Sequence, residues 1–275
     1  MDIEIRRGLA EARTLAQDRW PALLAYVGLG VWLPFVLLAS EPIFDLRAIL
    51  AIMSDPFTYR VGGSIAGPLY LLGIVAVTVC GAMLATWNAL LIEMREGYIS
   101  EIMYGMVAGA AYLVVNCIFY FGIGVILSIP ILLLGGFEAA QTWGTPYLVG
   151  RHIVSTVTGA WLSARFCLVG PIMGATGRLE PVSAFIESWQ RTASAQGRLF
   201  AFYIALNIVV AVATAALLAP HIYFVFNSPQ GGIADWVMHF GWLIFWSVYF
   251  AATMLIPAGF YRASQPGATA AEVFA

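Results

Sequence analysis

Long apolar runs separated by short polar connections organise this chain. Six runs carry no charge or, in one case, a single arginine: Trp20–Ser40, Val61–Ile92, Gly105–Phe137, Ile153–Thr176, Leu199 to about Ala219 and Trp236–Tyr261. A bilayer core about 30 Å thick is crossed by about 20 apolar residues in helical form. The pattern therefore predicts an all-α membrane bundle with six transmembrane helices.

Two of these runs are longer than one crossing requires. Val61–Ile92 and Gly105–Phe137 must tilt, kink or leave the bilayer before their last residue. Pro130 lacks a backbone N–H, and its ring fixes φ, so we expect it to interrupt the third helix.

The fourth connection carries a regular apolar pattern. Val182, Phe185, Ile186 and Trp189 fall at i, i+3, i+4 and i+7, which is one face of a helix, and Pro181 suits its first turn. We therefore expect a short amphipathic helix lying along the membrane surface. These four residues form the candidate interfacial partner surface.

Two further segments show helical stripes. After Gly97 the second connection repeats the spacing, and the N-terminal residues 1–19 form a lead-in stripe that reaches Trp20. The stripe residues are Ile99, Ile102, Met103 and Met106 in the connection, and Ile5, Leu9, Ala12, Ala16 and Trp20 at the N-terminus. Both predict short interfacial helices, and whether the matching connections reflect an internal repeat stays open.

Arginines fall mostly on one side of the predicted bundle. With six crossings, nine share the side of both termini: Arg6, Arg7, Arg13, Arg19, Arg95, Arg178, Arg191, Arg198 and Arg262. The opposite side has Arg47, Arg60 and Arg151. Because short cytoplasmic loops are enriched in basic residues, we expect both termini in the cytoplasm. The single membrane domain then covers residues 1–275, with the bundle over 20–261 and a cytoplasmic tail over 262–275.

Composition agrees with a membrane protein and excludes several function classes. Hydrophobic residues make up 61% of the 275, charged residues only 10%, and the net charge is −2. No basic stripe suggests nucleic-acid binding. No nucleophile elbow, phosphate-binding loop or metal-spaced histidine motif occurs, so we expect no enzyme activity and no cofactor or metal.

Arg165 is the one charge within an apolar run. A charge at mid-span costs about 2.5 to 3.5 kcal/mol on insertion scales, so something should offset it. One interpretation is a site for a lipid phosphate or another anion, which a guanidinium binds in a bidentate manner. The other is that Arg165 sits in the inner leaflet and either extends to water or pairs with a neighbouring helix.

Two other polar groups deserve weighing. Glu93, Glu96 and Glu101 cluster after the second run without a histidine or cysteine nearby, so we expect solvated carboxylates. His239 could relay protons with Asp235 as its partner, but both residues lie near the end of a run, so we expect them at the membrane interface.

Two glycine pairs favour close helix packing. Gly105xxxGly109 and Gly170xxxGly174 have the spacing that lets helices approach closely.

The second half of the chain has features of a known family. An apolar helix meets SIP at Ser128–Pro130, ARFCLVGP at Ala164–Pro171 sets an arginine before a proline, and EPVSAFIESWQRTASAQGRLF spans Glu180–Phe200. In this last segment Ser183, Ser188, Trp189, Thr192 and Gly197 match the residues that recur in the family's cytoplasmic segment. The chain thus resembles the membrane domain of the glycerophosphoryl diester phosphodiesterase family and related six-helix bacterial inner-membrane proteins.

The resemblance implies a multi-pass membrane domain rather than a hydrolase, since the family's catalytic barrel is not among these residues. Our expected function is a non-enzymatic protein of the bacterial inner membrane that organises lipid or partner proteins. Expected partners are membrane lipids, with a protein partner or homo-oligomer as a further candidate. The alternative is a small transporter or a membrane subunit of a transport complex.

Overall fold

The computed structural model describes residues 3–39, 46, 66–95, 97–133, 150, 153–228 and 232–265. Among these residues there is no β-strand. The helices are α1 Ile5–Asp18, α2 Trp20–Val27, α3 Leu33–Ala39, α4 Ala66–Leu91, α5 Tyr98–Leu133, α6 (153–166), α7 Val169–Thr176, α8 Pro181–Thr192, α9 Gln196–Asn227 and α10 Ile233–Ala263. A π-helical segment, Gly28–Trp32, joins α2 to α3, and a 3₁₀ turn, Ala193–Ala195, joins α8 to α9.

Six helical segments in the described part of the chain are long and apolar enough to cross a membrane. Their bounds are Trp20–Ala39, Gly67–Leu91, Tyr98–Ile126, Ile153–Thr176, Pro181–Asn227 and Ile233–Ala263. The predicted all-helical, multi-pass architecture is therefore confirmed. Arg47, Arg60 and Arg151, the tail beyond Gln265, and Glu96 lie outside the described residues.

The third crossing differs from its prediction at both ends. Helix α5 runs without a break from Tyr98 to Leu133, so the stripe from Ile99 to Met106 is its first turns and not a separate helix. The helix also continues through Pro130, and the predicted interruption there is wrong. The helix is described as far as Leu133, so the N–H that Pro130 lacks removes one hydrogen bond without ending the helix there.

Arginine-rich segments meet at one end of the bundle. The Arg19 guanidinium donates to the carbonyl oxygens of Ile92 and Glu93 at 3.5 and 3.4 Å. Arg262 lies 3.8 Å from the Glu11 carboxylate. The Tyr104 hydroxyl donates to the Arg178 carbonyl oxygen at 3.2 Å, so the segment between α7 and α8 lies at the same end of the bundle. We call this region the arginine end of the bundle.

Helix α1 packs tightly across the C-terminal part of α10. A Cβ on Gly8 would lie 2.7 Å from a ring carbon of Phe260, and one on Gly259 would lie 2.7 Å from the Ala12 nitrogen. The buried positions of α1 include Gly8, Ala12 and Leu15, whereas Leu9 and Trp20 are exposed. The buried face therefore shares Ala12 with the predicted stripe but not Leu9 or Trp20, because glycine and alanine permit the closer helix contact.

Small residues also set the spacing inside the bundle. A Cβ on Gly109 would lie 2.6 Å from the Gly81 nitrogen, so α5 and α4 meet at their backbones. A Cβ on Gly174 would lie 2.6 Å from Trp87 Cβ, and the Asn88 side chain donates to the Gly174 carbonyl oxygen at 3.0 Å. Both predicted glycine motifs are thus confirmed as helix contacts.

Candidate functional site: Arg165 and the outer face of α8

The helix that carries Arg165 ends abruptly. Helix α6 stops at residue 166, Cys167 and Leu168 form a turn, and α7 restarts at Val169. Pro171 explains the break, because it has no N–H for the carbonyl of Cys167, and it lies in the first turn of α7, where a missing N–H is tolerated. Arg165 therefore lies at the end of a half-helix.

The Arg165 backbone anchors α8. Its carbonyl oxygen accepts hydrogen bonds from the Ser188 hydroxyl at 2.8 Å and from the Thr192 hydroxyl at 3.2 Å. Ser188 and Thr192 are one turn apart and are both fully buried. The face of α8 that contacts the bundle thus consists of small and hydroxyl-bearing residues.

The Arg165 side chain is buried without a counter-charge. It is 4% exposed, and its guanidinium carbon lies 3.8 Å from the centre of the Trp189 ring. Nη1 donates to Gln196 Oε1 at 3.4 Å, while Nε is buried and has no hydrogen-bond partner. Within the described residues no carboxylate lies within 4 Å of this guanidinium. Of the two forms of the second interpretation, extension to water does not occur, whereas contact with neighbouring helices does: a cation–π contact with Trp189 and the Gln196 amide stabilise the charge.

Helix α8 begins at a well-formed cap. The Glu180 carboxylate accepts from the backbone N–H of Val182 at 2.6 Å and of Ser183 at 3.1 Å. The pKa of the Glu180 carboxyl is lowered below its usual value by these hydrogen bonds, and most by one from the Ser183 side chain. Pro181 at the first position completes the start. A short helix in this connection is therefore confirmed, and its place along the membrane surface stays a prediction.

The candidate partner surface lies on the outward side of α8. Val182, Ile186 and Trp189 are 51%, 56% and 41% exposed, and Phe185 is partly buried. The polar side is fixed by Glu187, whose carboxylate oxygens lie 2.8 Å from Arg178 and 2.6 Å from Arg191. An apolar face therefore points away from the bundle beside the buried Arg165.

A groove runs between α8 and α5 along this face. It holds about 380 Å³, and its lining is almost wholly apolar: Val115, Phe119, Phe166, Val182, Phe185, Ile186, Trp189 and Gln190. The centroid of the Phe166 ring lies 5.1 Å from the ring centroids of both Phe119 and Phe185 and 5.7 Å from that of Trp189. We call this feature the α8 groove. Trp189 lines the groove and contacts the Arg165 guanidinium, so the two candidate sites adjoin.

Sequence reasoning did not assign the contacts that join these parts, although it singled out Ser188 and Thr192 for the family resemblance. Ser188, Thr192 and Gln196 follow each other at intervals of four, a spacing that marks one helical face. Trp161 precedes Arg165 by four positions, and its ring lies 5.6 Å from that of Trp189. The periodicity was present in the sequence, but it identified no partner on the other helix.

Glu101 corrects the expectation of solvated carboxylates. It is 1% exposed, and its two oxygens each lie 2.7 Å from the Arg95 guanidinium. The buried hydroxyl of Tyr26 also donates to this carboxylate. Glu93, in contrast, is exposed as predicted. Glu101 is satisfied by Arg95 and Tyr26, so it ties α5 to α2 rather than offering a catalytic or cation site.

No protein-family model, curated protein or solved structure matches this chain. The resemblance to the phosphodiesterase membrane domain therefore stays a prediction from the sequence.

Proposed function

We propose that this chain is a non-enzymatic, multi-pass protein of the bacterial inner membrane that binds an anionic lipid at Arg165 and the α8 groove. The observation that carries the proposal is the Arg165 guanidinium, buried against Trp189 without a carboxylate among the described residues. The resemblance to the phosphodiesterase membrane domain supports two parts of the proposal: a multi-pass membrane protein, and one without hydrolase activity.

A lipid phosphate would supply the anionic hydrogen-bond partner that this guanidinium lacks. Phosphate oxygens accept two parallel hydrogen bonds from a guanidinium edge, and Nε is free for one of them. The gain is large in an apolar setting, because an unpaired buried charge is costly. Trp189 is 41% exposed and can turn aside to admit the headgroup.

The apolar parts fit the rest of a lipid. Val182 and Ile186 line the α8 groove and are both exposed, so an acyl chain in the groove covers them. Since α8 is amphipathic, it lies along the membrane surface in this proposal. Headgroup and chain then contact adjoining parts of a single site.

The arginine end faces the cytoplasm in this proposal. The Arg191 guanidinium lies 5.6 Å from the Tyr261 ring near the end of α10, which sets α8 at the arginine end. The basic-residue rule puts this end, and both termini, inside the cell. The cytoplasmic leaflet attracts basic segments because its surface potential is negative.

Lipid analysis of the purified protein tests this function. Full-length protein is extracted in mild detergent, and phosphatidylglycerol and cardiolipin per chain are quantified for wild type, Arg165→Gln and Arg13→Gln. Arg13 is exposed on α1, so its variant is a control with the same loss of charge. We expect Arg165→Gln to retain roughly tenfold less anionic lipid, the worth of one charged hydrogen-bond pair.

Equal anionic lipid in all three proteins would refute the proposal. A protein partner or a second copy on α8 is a separate outcome. It would appear as a change in oligomeric mass when Ile186→Ser is compared with wild type at unchanged lipid content.

One observation favours the alternative of a transporter. A cavity of about 160 Å³ lies among α5, α6, α9 and α10, and its polar lining includes Asn116, Ser163 and Thr253. Broken helices such as α6 and α7 are also found at transporter binding sites. Substrate-dependent flux in proteoliposomes, abolished by Asn116→Leu, would support transport over lipid binding.

A further inference from the structure

Two histidines and an aspartate meet far from the arginine end. His221 of α9 and Asp235 and His239 of α10 place their ligand atoms within 4.8 Å of one another. The two imidazole rings have centroids 5.6 Å apart. His221 is 6% exposed, whereas the side chains of His239 and Asp235 are 44% and 30% exposed.

Both histidines are separated by about one membrane thickness from helix residues at the arginine end. His221 follows Leu199 by 22 residues, and His239 precedes Tyr261 by 22 residues. At 1.5 Å per residue each separation is about 33 Å, close to the thickness of the hydrocarbon core. Ions from the water phase can therefore reach the cluster.

His239 is held in a form suited to metal binding. Its Nδ1 lies 2.8 Å from the backbone carbonyl oxygen of Asp235. A carbonyl only accepts, so the proton of neutral His239 is on Nδ1 and the lone pair on Nε2 is free. Hydrogen bonding of the non-ligating nitrogen to a carbonyl is the usual support for a metal-bound histidine.

His221 is held differently. The Trp242 indole N–H donates to His221 Nδ1 at 2.8 Å. Since an indole N–H cannot accept, neutral His221 carries its proton on Nε2. Ligation through either nitrogen therefore requires that this Trp242 bond break, and metal binding competes with it.

The donor set selects the class of ion. Two imidazoles and one carboxylate suit Zn²⁺ and similar divalent transition metals, whereas Mg²⁺ and Ca²⁺ prefer oxygen ligands only. Zinc lies about 2.0 to 2.2 Å from such ligands, so the atoms must approach to roughly 3.4 Å in a tetrahedral site. Rotation of the partly exposed Asp235 and His239 side chains provides this small movement.

We propose that His221, Asp235 and His239 form a site for one divalent transition-metal ion of the zinc class. The ion ties the last turns of α9 to the first turns of α10. Because it binds the folded hairpin and not the separated helices, it stabilises this end of the bundle.

Calorimetric titration of the full-length protein with ZnCl₂ tests the site. The protein carries no histidine tag, is stripped with chelator and is kept in detergent micelles. We expect one Zn²⁺ per wild-type chain, a higher unfolding temperature with Zn²⁺, and no binding of Mg²⁺. His239→Gln and Asp235→Asn should each weaken binding at least tenfold.

Trp242→Phe is the matched control within the cluster. It keeps every ligand and removes the competing hydrogen bond, so we expect one Zn²⁺ per chain and roughly fivefold tighter binding. Asp235→Asn changes a partly exposed side chain, so its variant stays folded even if a histidine variant does not. Wild type that binds no Zn²⁺, or Asp235→Asn and His239→Gln proteins that bind as tightly as wild type, would overturn the proposal.

Discussion

The guanidinium carbon of Arg165 lies 3.8 Å from the centre of the Trp189 ring, and this contact joins the transmembrane bundle to the outer face of α8. The same arginine holds α8 through its backbone carbonyl, which accepts hydrogen bonds from Ser188 and Thr192. One residue therefore supplies both the docking point of the helix and the buried charge beside it.

Removing the two hydroxyls should release α8. The double variant Ser188→Ala with Thr192→Val leaves a buried carbonyl without these donors, and we expect a loss of about 2 to 3 kcal/mol in the free energy of unfolding. Denaturant titration of the purified protein measures the loss, and hydrogen exchange should rise first in α8. Ser155→Ala, which changes an exposed serine on α6, is the control. An unchanged exchange rate in α8 would contradict the anchoring role.

Glu101 should matter to stability far more than its exposed neighbour Glu93. Glu101→Gln removes the charge between Arg95 and Tyr26, and we expect a loss of about 1 to 3 kcal/mol. The loss falls below that of a fully buried ion pair because the Arg95 side chain is 23% exposed. Thermal unfolding compares this variant with Glu93→Gln. Equal unfolding temperatures of the two variants would show that the buried network contributes nothing.

Gly174 should not tolerate a side chain. A Cβ there would lie 2.6 Å from Trp87 Cβ and 2.8 Å from the Asn88 nitrogen, and backbone atoms cannot move aside easily. We expect Gly174→Ala to cost about 1 to 3 kcal/mol through overpacking. Gly73→Ala, with no atom within 4 Å of the new methyl group, should be neutral or slightly stabilising. The two unfolding curves settle the point, and coincident midpoints would refute the close packing.

The hydrophobic pattern predicted the helices because length and lack of charge suffice to mark a crossing. It also predicted α8, from the spacing of its apolar residues and from Pro181 in its first turn. The pattern could not say which face of α8 contacts the bundle. In lipid an apolar stripe has no need to turn inward, and the small residues Ala184 and Ser188 pack there instead.

Long-range contacts explain the remaining differences from the sequence predictions. Tyr26 and Glu101 are 75 positions apart, and only the fold brings them together and buries the carboxylate. His221 follows Pro220, past the predicted end of the fifth crossing, and α9 continues through that proline to Asn227. Its meeting with His239 depends on the antiparallel pairing of α9 and α10, which no local pattern contains.

A structure of the full-length protein in nanodiscs containing phosphatidylglycerol tests the central claim most directly. The account predicts phosphate density within about 3 Å of Arg165 Nε, the normal distance of a charged hydrogen bond, with an acyl chain in the α8 groove. Lipid binding at Arg165 would be contradicted if the guanidinium still stacked on Trp189 with Nε unpaired, or if a carboxylate rather than a phosphate paired with it.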